Sequence, residues 1–256
     1  MQTKFWFLGF SSFLITTAKG TKILIDPYLN DNPSSPVKAA ELEHVDLIIA
    51  SHGAFDHMKD TAEIALKHGC PVICGSETKL LLVEQGVPAK QITETVWGLM
   101  VEQAGIRVRP VVSMHRSSVT LKDGRNVSGL ALGFIIYTED GVRIYNASDT
   151  ALFSDLKLIG ELNKPHIGLI NVTIENPFDF LPTFLTGEMT PYEAFLACQW
   201  LGLEYAVACH YTNPDCADVR EFEALMNNAR DAQGNPLVKP IVMAPGGEFV
   251  YTKKEE

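Results

Sequence analysis

Four short apolar runs each lead straight into a histidine or an aspartate. "VDLIIAS" precedes His52, "RPVVSM" precedes His115, "VRIYNAS" precedes Asp149 and "YAVAC" precedes His210. "VDLIIASH" is so short and so apolar that it reads as a strand buried on both faces, as in a sheet covered by helices. In layered α/β folds, ligands bind outside the carboxyl ends of the strands. Four strands that deliver His or Asp at those ends can bring them to one point.

The rest of the chain fits layers of this kind. Residues 4–29 alternate "KFWFLGF", "SSFLITTA" and "KILIDPYL" with turn residues, which predicts a β-meander. "KDTAEIALKHG" has helical spacing and closes at Gly69, and "SETKLLLVEQG" predicts a short helix capped by Ser76. From about residue 91 the pattern turns to strands: "QITETVWGLMVEQAG", "IRVRPVVSMH", "SGLALGFIIYTEDG" and "VRIYNASD", with a hairpin tip at Asp140-Gly141. Helix and strand then alternate through "LFSDLKLIGELN", "HIGLINVT", "TPYEAFLACQWLG", "YAVACH" and "DVREFEALMNNARDAQG", and "KPIVMAPGGEFVY" closes with strands. No linker or short repeat interrupts the 256 residues, so the reading is one domain over 1–256. The two halves resemble each other loosely. The irregular stretch 175–189, with two prolines, is expected to cover a site.

Composition narrows the partners. A net charge of -10 argues against a polyphosphate backbone as the main partner, because that needs basic surface. No apolar run approaches membrane-spanning length, and the N-terminus reads as two strands rather than a signal peptide. Five cysteines with no CxxC pair fit reduced thiols in a cytoplasm, and Cys209, beside His210, reads as a small buried hydrophobe. The expected partner is a small-molecule substrate, with neither nucleic acid nor membrane, and self-association is left open.

The loop "SHGAFDH" (51–57) concentrates the metal-ligating residue types. Adjacent Asp56 and His57 on a tight loop can share one ion, and His52 can face a second. Imidazole and carboxylate without thiolate suit Zn, Mn or Fe. Such an ion with an open position lowers the pKa of its water toward neutrality. Asp26 in "ILIDPYL" reads either as a partner orienting a ligand or as a turn residue before Pro27. His44, His68 and His166 read as ordinary polar residues. Neither a G-x-S-x-G elbow nor a phosphate-binding loop is present.

Taken in order, these residues resemble the metallo-β-lactamase superfamily, most closely the branch that contains ascorbate-6-phosphate lactonase and related metal-dependent hydrolases. "LGFSSFLI" and "ILIDPYL" match that branch's LGHSCFLI and ILIDP, and "HGAFDH" matches HxHxDH. His115 in "SMHRSS", Asp149 in "SDT" and His210 in "CHYTNP" match the remaining ligand motifs. The resemblance implies a four-layer αββα sandwich, two mixed sheets flanked by helices, with the metal site at the edge between the sheets. It also implies that His52, position 54 and His115 hold one ion, that Asp56, His57 and His210 hold another, and that Asp149 bridges them under a hydroxide nucleophile.

The chain departs from the pattern at two places. Ala54 stands where the family has a histidine, and a methyl group cannot coordinate. Phe10 replaces another histidine. The expectation is therefore one divalent ion on Asp56, His57, Asp149 and His210, and a weaker site of His52, His115 and Asp149 that water or a nearby group such as Asp60 or Glu175 can complete. Asp56, His52 and His115 are the residues expected to take part in catalysis, and Arg116 either binds an anionic substrate or forms a surface ion pair. The function expected is hydrolysis of a small ester, lactone or phosphoester by metal-activated water, with a phosphorylated sugar lactone as the family analogy. A non-catalytic metal-binding or ligand-sensing protein and a phosphodiesterase or nuclease are the alternatives.

Overall fold

The computed structural model describes residues 2–174 and 187–253. The predicted meander is present as β1 (Gln2–Phe7), β2 (Phe13–Thr16) and β3 (Lys22–Ile25). β4 (Leu47–Ile49), β5 (Val72–Cys74) and β6 (Ile92–Glu94) extend the same sheet in parallel. The second sheet runs through β7 (Val101–Gln103), β8 (Ile106–Thr120), β9 (Asn126–Tyr137), β10 (Arg143–Asn146), β11 (Ile167–Asn171), β12 (Tyr205–Cys209) and β13 (Lys239–Ile241). β14 (Glu248–Thr252) then returns to the first sheet and pairs with β1.

The loose likeness of the halves is a topological one. The first sheet has the order β14-β1-β2-β3-β4-β5-β6 and the second β13-β12-β11-β10-β9-β8-β7. In chain order each half begins with antiparallel pairs and continues in parallel ones, the change falling at β3 in the first sheet and at β10 in the second. Parallel strands need crossovers, and these supply the helices. They are α1 (Phe55–Met58), α2 (Thr61–His68) and α3 (Ser76–Glu84) in the first half, and α4 (Leu156–Asn163), α5 (Pro191–Leu201) and α6 (Ala217–Asn228) in the second.

Side-chain alternation explains the layering. Phe5, Phe7, Phe13, Ile15, Ile23, Ile25, Leu47 and Ile49 point into the core shared with the second sheet. Their neighbours Leu14, Leu24, Ile48 and Val72 join Ile64, Ala65 and Leu82 of the first-half helices in a separate cluster. A strand with apolar residues at successive positions can serve both layers, and this is why "VDLIIA" carries no polar face. Ala194, Ala197, Val219 and Phe222 cover the second sheet from α5 and α6. The result is the αββα sandwich expected from the sequence, with fully buried aromatic and aliphatic groups each worth about 1.5–3 kcal/mol.

Local signals explain most element ends. Thr190 and Glu193 form a reciprocal capping box before α5, with Pro191 in its first turn. α2 stops at Gly69, whose φ of 65° is the left-handed cap that glycine adopts freely. Three expectations need correction. The cap of α3 is Gly75, and Ser76 is its first helical residue. "QITETVWGLMVEQAG" is two short strands on different sheets, β6 and β7, so this segment crosses between the layers. α4 begins at Leu156 rather than Leu152. Among the described residues no helix is long and apolar enough to cross a membrane.

Candidate metal centre

Each candidate ligand reaches the site on a backbone irregularity. His52 follows β4 by three residues, and the loop then closes into α1. The expected tight loop is thus one helical turn, in which the Ala54 carbonyl accepts from the N–H groups of His57 and Met58, both at 3.1 Å. That turn places Asp56 and His57 side by side, both buried.

His115 does not end a strand, as the sequence suggested. It sits inside β8, where the pairing slips: Val112 faces Leu132 and Arg116 faces Leu130. Ser113, Met114 and His115 therefore oppose Ala131 alone, a bulge that re-aims side chains. Asp149 follows Ser148, whose φ is 57°, and His210 itself has φ 67°. Asp26 (φ 44°) and Phe10 (φ 53°) share this left-handed conformation, which non-glycine residues rarely adopt and which concentrates at functional sites. Phe10 and His210 hold each other in place: His210 N–H donates to the Phe10 carbonyl at 2.7 Å, and Phe10 N–H donates to the Tyr211 carbonyl at 3.2 Å.

The side chains converge as two groups that share Asp149. Asp56, His57, Asp149 and His210 form one group and His52, His115 and Asp149 the other; within each, one ligand atom per residue lies within 4.8 Å of the rest. Asp149 Oδ2 is 3.0 Å from His57 Nε2, 3.3 Å from His210 Nε2 and 3.8 Å from His52 Nε2. Asp56 Oδ2 is 3.8 Å from His57 Nε2 and 3.7 Å from His210 Nε2.

These atoms fit a cation better than one another. His52 Nε2, His57 Nε2, His210 Nε2 and Asp149 Oδ1 are buried and make no hydrogen bond. Even the 3.0 Å approach of His57 to Asp149 is an ion-pair distance outside hydrogen-bond geometry. Orphaned buried polar atoms are costly, and several aimed at one point indicate a missing common partner. On His57 and His52 the opposite ring edge is occupied, whereas His210 Nδ1 makes no hydrogen bond either. Asp26 Oδ2 lies 3.0 Å from His57 Nδ1, and Asp26 also accepts from Ser51 N–H at 2.7 Å and Ser51 Oγ at 2.9 Å. His52 Nδ1 is 3.0 Å from Ser51 Oγ and 3.3 Å from Ser148 Oγ. Contacts at Nδ1 leave Nε2 as the metal-facing atom, the usual arrangement of a ligating imidazole.

The electrostatics agree. Burial disfavours charge on His57 and His210, yet Asp149, with Asp26 and Asp56 at His57 and with Asp56 at His210, raises both imidazoles well above their ordinary pKa. Burial likewise resists ionisation of Asp149, but His210 and His57 hold it well below the usual carboxylate range. The buried carboxylates thus demand positive charge, which a divalent ion supplies as well as two protons do. His52 is the reverse case: burial, aided by His57, lowers it to about 3, so it stays a neutral donor. Burial also lowers His115, against which Gly187 packs so closely that a Cβ there would lie 3.2 Å from Nδ1.

Other sequence candidates fall elsewhere. Asp60 does not compensate for position 54, because its Oδ2 accepts from the backbone of Leu29 at 2.5 Å and Asn30 at 3.0 Å. Glu175 and most of the stretch 175–189 lie outside the described residues. Arg116 is exposed on β8. His44 pairs with Asp46 and His166 accepts from Arg143 N–H, so neither joins the centre. Cys209 is buried as expected. Both readings of Asp26 hold: it occupies a turn conformation and it orients His57. Ser51 and Ser148 were missed, since single serines carry no signal until the fold brings them to a ring nitrogen.

Comparison with known proteins agrees with this geometry. A family model described as "Beta-lactamase superfamily domain" matches residues 21–211. A UPF0173 metal-dependent hydrolase of Archaeoglobus fulgidus is 36% identical over 253 residues, covering 98% of this chain and 100% of the relative. One from Rubrobacter xylanophilus is 33% identical over 210 residues, covering 82% and 81%. Among solved structures, Igni18, a metallo hydrolase from Ignicoccus hospitalis, superposes with TM-score 0.78 at 26% identity, covering 99% of this chain and 100% of that one. The metallo-β-lactamase fold protein YhfI of Bacillus subtilis, at 12% identity, TM-score 0.68 and coverage of 98% and 100%, shares the fold. The chain belongs to the metallo-β-lactamase superfamily.

Proposed function

We propose that this protein is a metal-dependent hydrolase of a small ester, lactone or phosphoester. One observation carries the reading: buried imidazole nitrogens and an Asp149 oxygen, without hydrogen-bond partners, cluster in two groups that share Asp149. Asp56, His57, Asp149 and His210 would hold one Zn, Mn or Fe ion, and His52, His115 and Asp149 would hold a second less tightly because Ala54 offers no donor. A bound ion supplies Lewis-acid polarisation of the scissile group and makes water nucleophilic near neutral pH.

The chain's own residues do the rest. Asp26 keeps the His57 ring oriented through Nδ1. Asp149 is ionised and central, so it can position water between the two groups. His52, lowered to about 3, suits ligation rather than proton storage. His115 is the partly exposed imidazole of the set, so the group it completes with His52 and Asp149 is the one nearer solvent and substrate.

The test is elemental analysis of protein purified without chelator, paired with hydrolysis assays on aryl esters, lactones and phosphodiesters. One or two ions per chain and turnover of at least one class are expected. Absence of metal after exposure to Zn and Mn would overturn the proposal. Ala54 favours a second reading, a metal-binding protein that no longer hydrolyses. Turnover restored only by Ala54→His would support it.

A further inference from the structure

Glu77 stands in the first turn of α3, 1% exposed, yet both its hydrogen-bond partners are hydroxyls. Its Oε1 accepts from Ser117 Oγ and, at 3.3 Å, from Thr78 Oγ1, while Oε2 has no partner. A carboxylate so placed is costly to bury. Ser117 lies two residues beyond His115, and its Oγ accepts from the N–H of Gly53 at 2.9 Å. Gly53 is the residue after His52. One hydroxyl therefore ties the His52 loop to the His115 strand. Because that hydroxyl spends its proton on Glu77, its lone pairs face Gly53.

The surroundings are shaped around this contact. A Cβ at Gly129 would lie 1.8 Å from Glu77 Oε2, and one at Gly75 would lie 2.9 Å from it. At Gly53 a Cβ would lie 2.5 Å from Val119 Cγ1 and 2.9 Å from the Ser118 carbonyl, so the metal loop is pressed onto β8. At Gly53 the approach needs a residue without a side chain, whereas at Gly129 and Gly75 the room left by glycine is taken up by the Glu77 side chain.

We infer that Glu77 and Ser117 are positioning residues that brace His52 against His115 and keep the group lacking a donor at position 54 able to bind an ion. The inference rests on the metal-dependent reading above. Among the described residues the Gly53–Ser117 contact is the one hydrogen bond between the His52 loop and the His115 strand, and outer partners of this kind typically change metal affinity by about 10- to 100-fold.

Metal-free wild type, Ser117→Ala, Glu77→Gln and Glu77→Ala are titrated with Zn²⁺ by calorimetry, with melting temperature measured on each. Asp56→Ala identifies the tighter step. Two steps are expected in the wild type. Ser117→Ala and Glu77→Ala should weaken the second step about tenfold or more and leave the first within about twofold. Glu77→Gln, which keeps an acceptor for Ser117, should restore most of the loss. Unchanged steps, or both steps weakened in proportion to lost stability, would overturn the inference. If Glu77→Ala does not fold, Ser117→Ala decides. A wild type that binds one ion overturns this inference alone, whereas a wild type that binds none overturns the hydrolase reading with it.

Discussion

Asp26 and His57, 31 positions apart, meet at 3.0 Å between Oδ2 and Nδ1 with both side chains fully buried. The contact turns His57 Nε2 toward Asp149 and links the end of β3 to the helical turn after β4. It makes Asp26 part of the centre without making it a ligand.

Replacing Asp26 by Asn keeps the size and an acceptor for Ser51 N–H. It presents either an amide donor or a weaker acceptor to His57. The ion held by Asp56, His57, Asp149 and His210 should bind about 10- to 100-fold more weakly. Competition with a chromophoric chelator measures this. Unaltered affinity would mean that His57 is not a ligand.

Asp149 belongs to both groups, so Asp149→Ala should empty both. Elemental analysis should find less than half the wild-type metal. Loss of one ion with full retention of the other would show that the groups do not share this carboxylate. The variant also relieves the attraction that raises His57 and His210, so both rings should titrate at lower pH in metal-free protein, a change visible by NMR.

Ala54 is half-exposed at the first position of the turn that carries Asp56. Ala54→His adds an imidazole beside the weaker group, and the second ion should tighten by about tenfold or more, the effect of roughly 1.4 kcal/mol. Titration of both proteins with Zn²⁺ checks it. No gain would place the position 54 side chain away from His52 and His115.

Gly53→Ala tests how closely the loop presses on β8. The added methyl group meets Val119 and backbone at distances that real Cβ atoms do not tolerate. A cost of about 1–3 kcal/mol is expected for overpacking of this kind, read as a lower denaturation midpoint. A variant as stable as wild type would mean that the loop moves freely from the strand.

Much of the protein was already determined by local sequence. Period-two and unbroken apolar runs set β1 to β5 and their layers, because a strand's neighbours alternate faces whatever lies beyond them. The capping residues around α5 act within one turn. His52, Asp56 and His57 of "HGAFDH", with His115, Asp149 and His210, were legible as donors because their chemistry is intrinsic. Tertiary structure alone decided how they are aimed. The bulge that holds His115 arises from a pairing slip between β8 and β9. Asp26, Ser51, Ser148 and Glu77 acquire their roles from contacts between residues far apart in the chain, apart from Ser51 beside His52. The return of β14 to β1 is equally non-local. Such contacts depend on where two sheets meet, and a periodicity read along one segment carries no information about the distance to another.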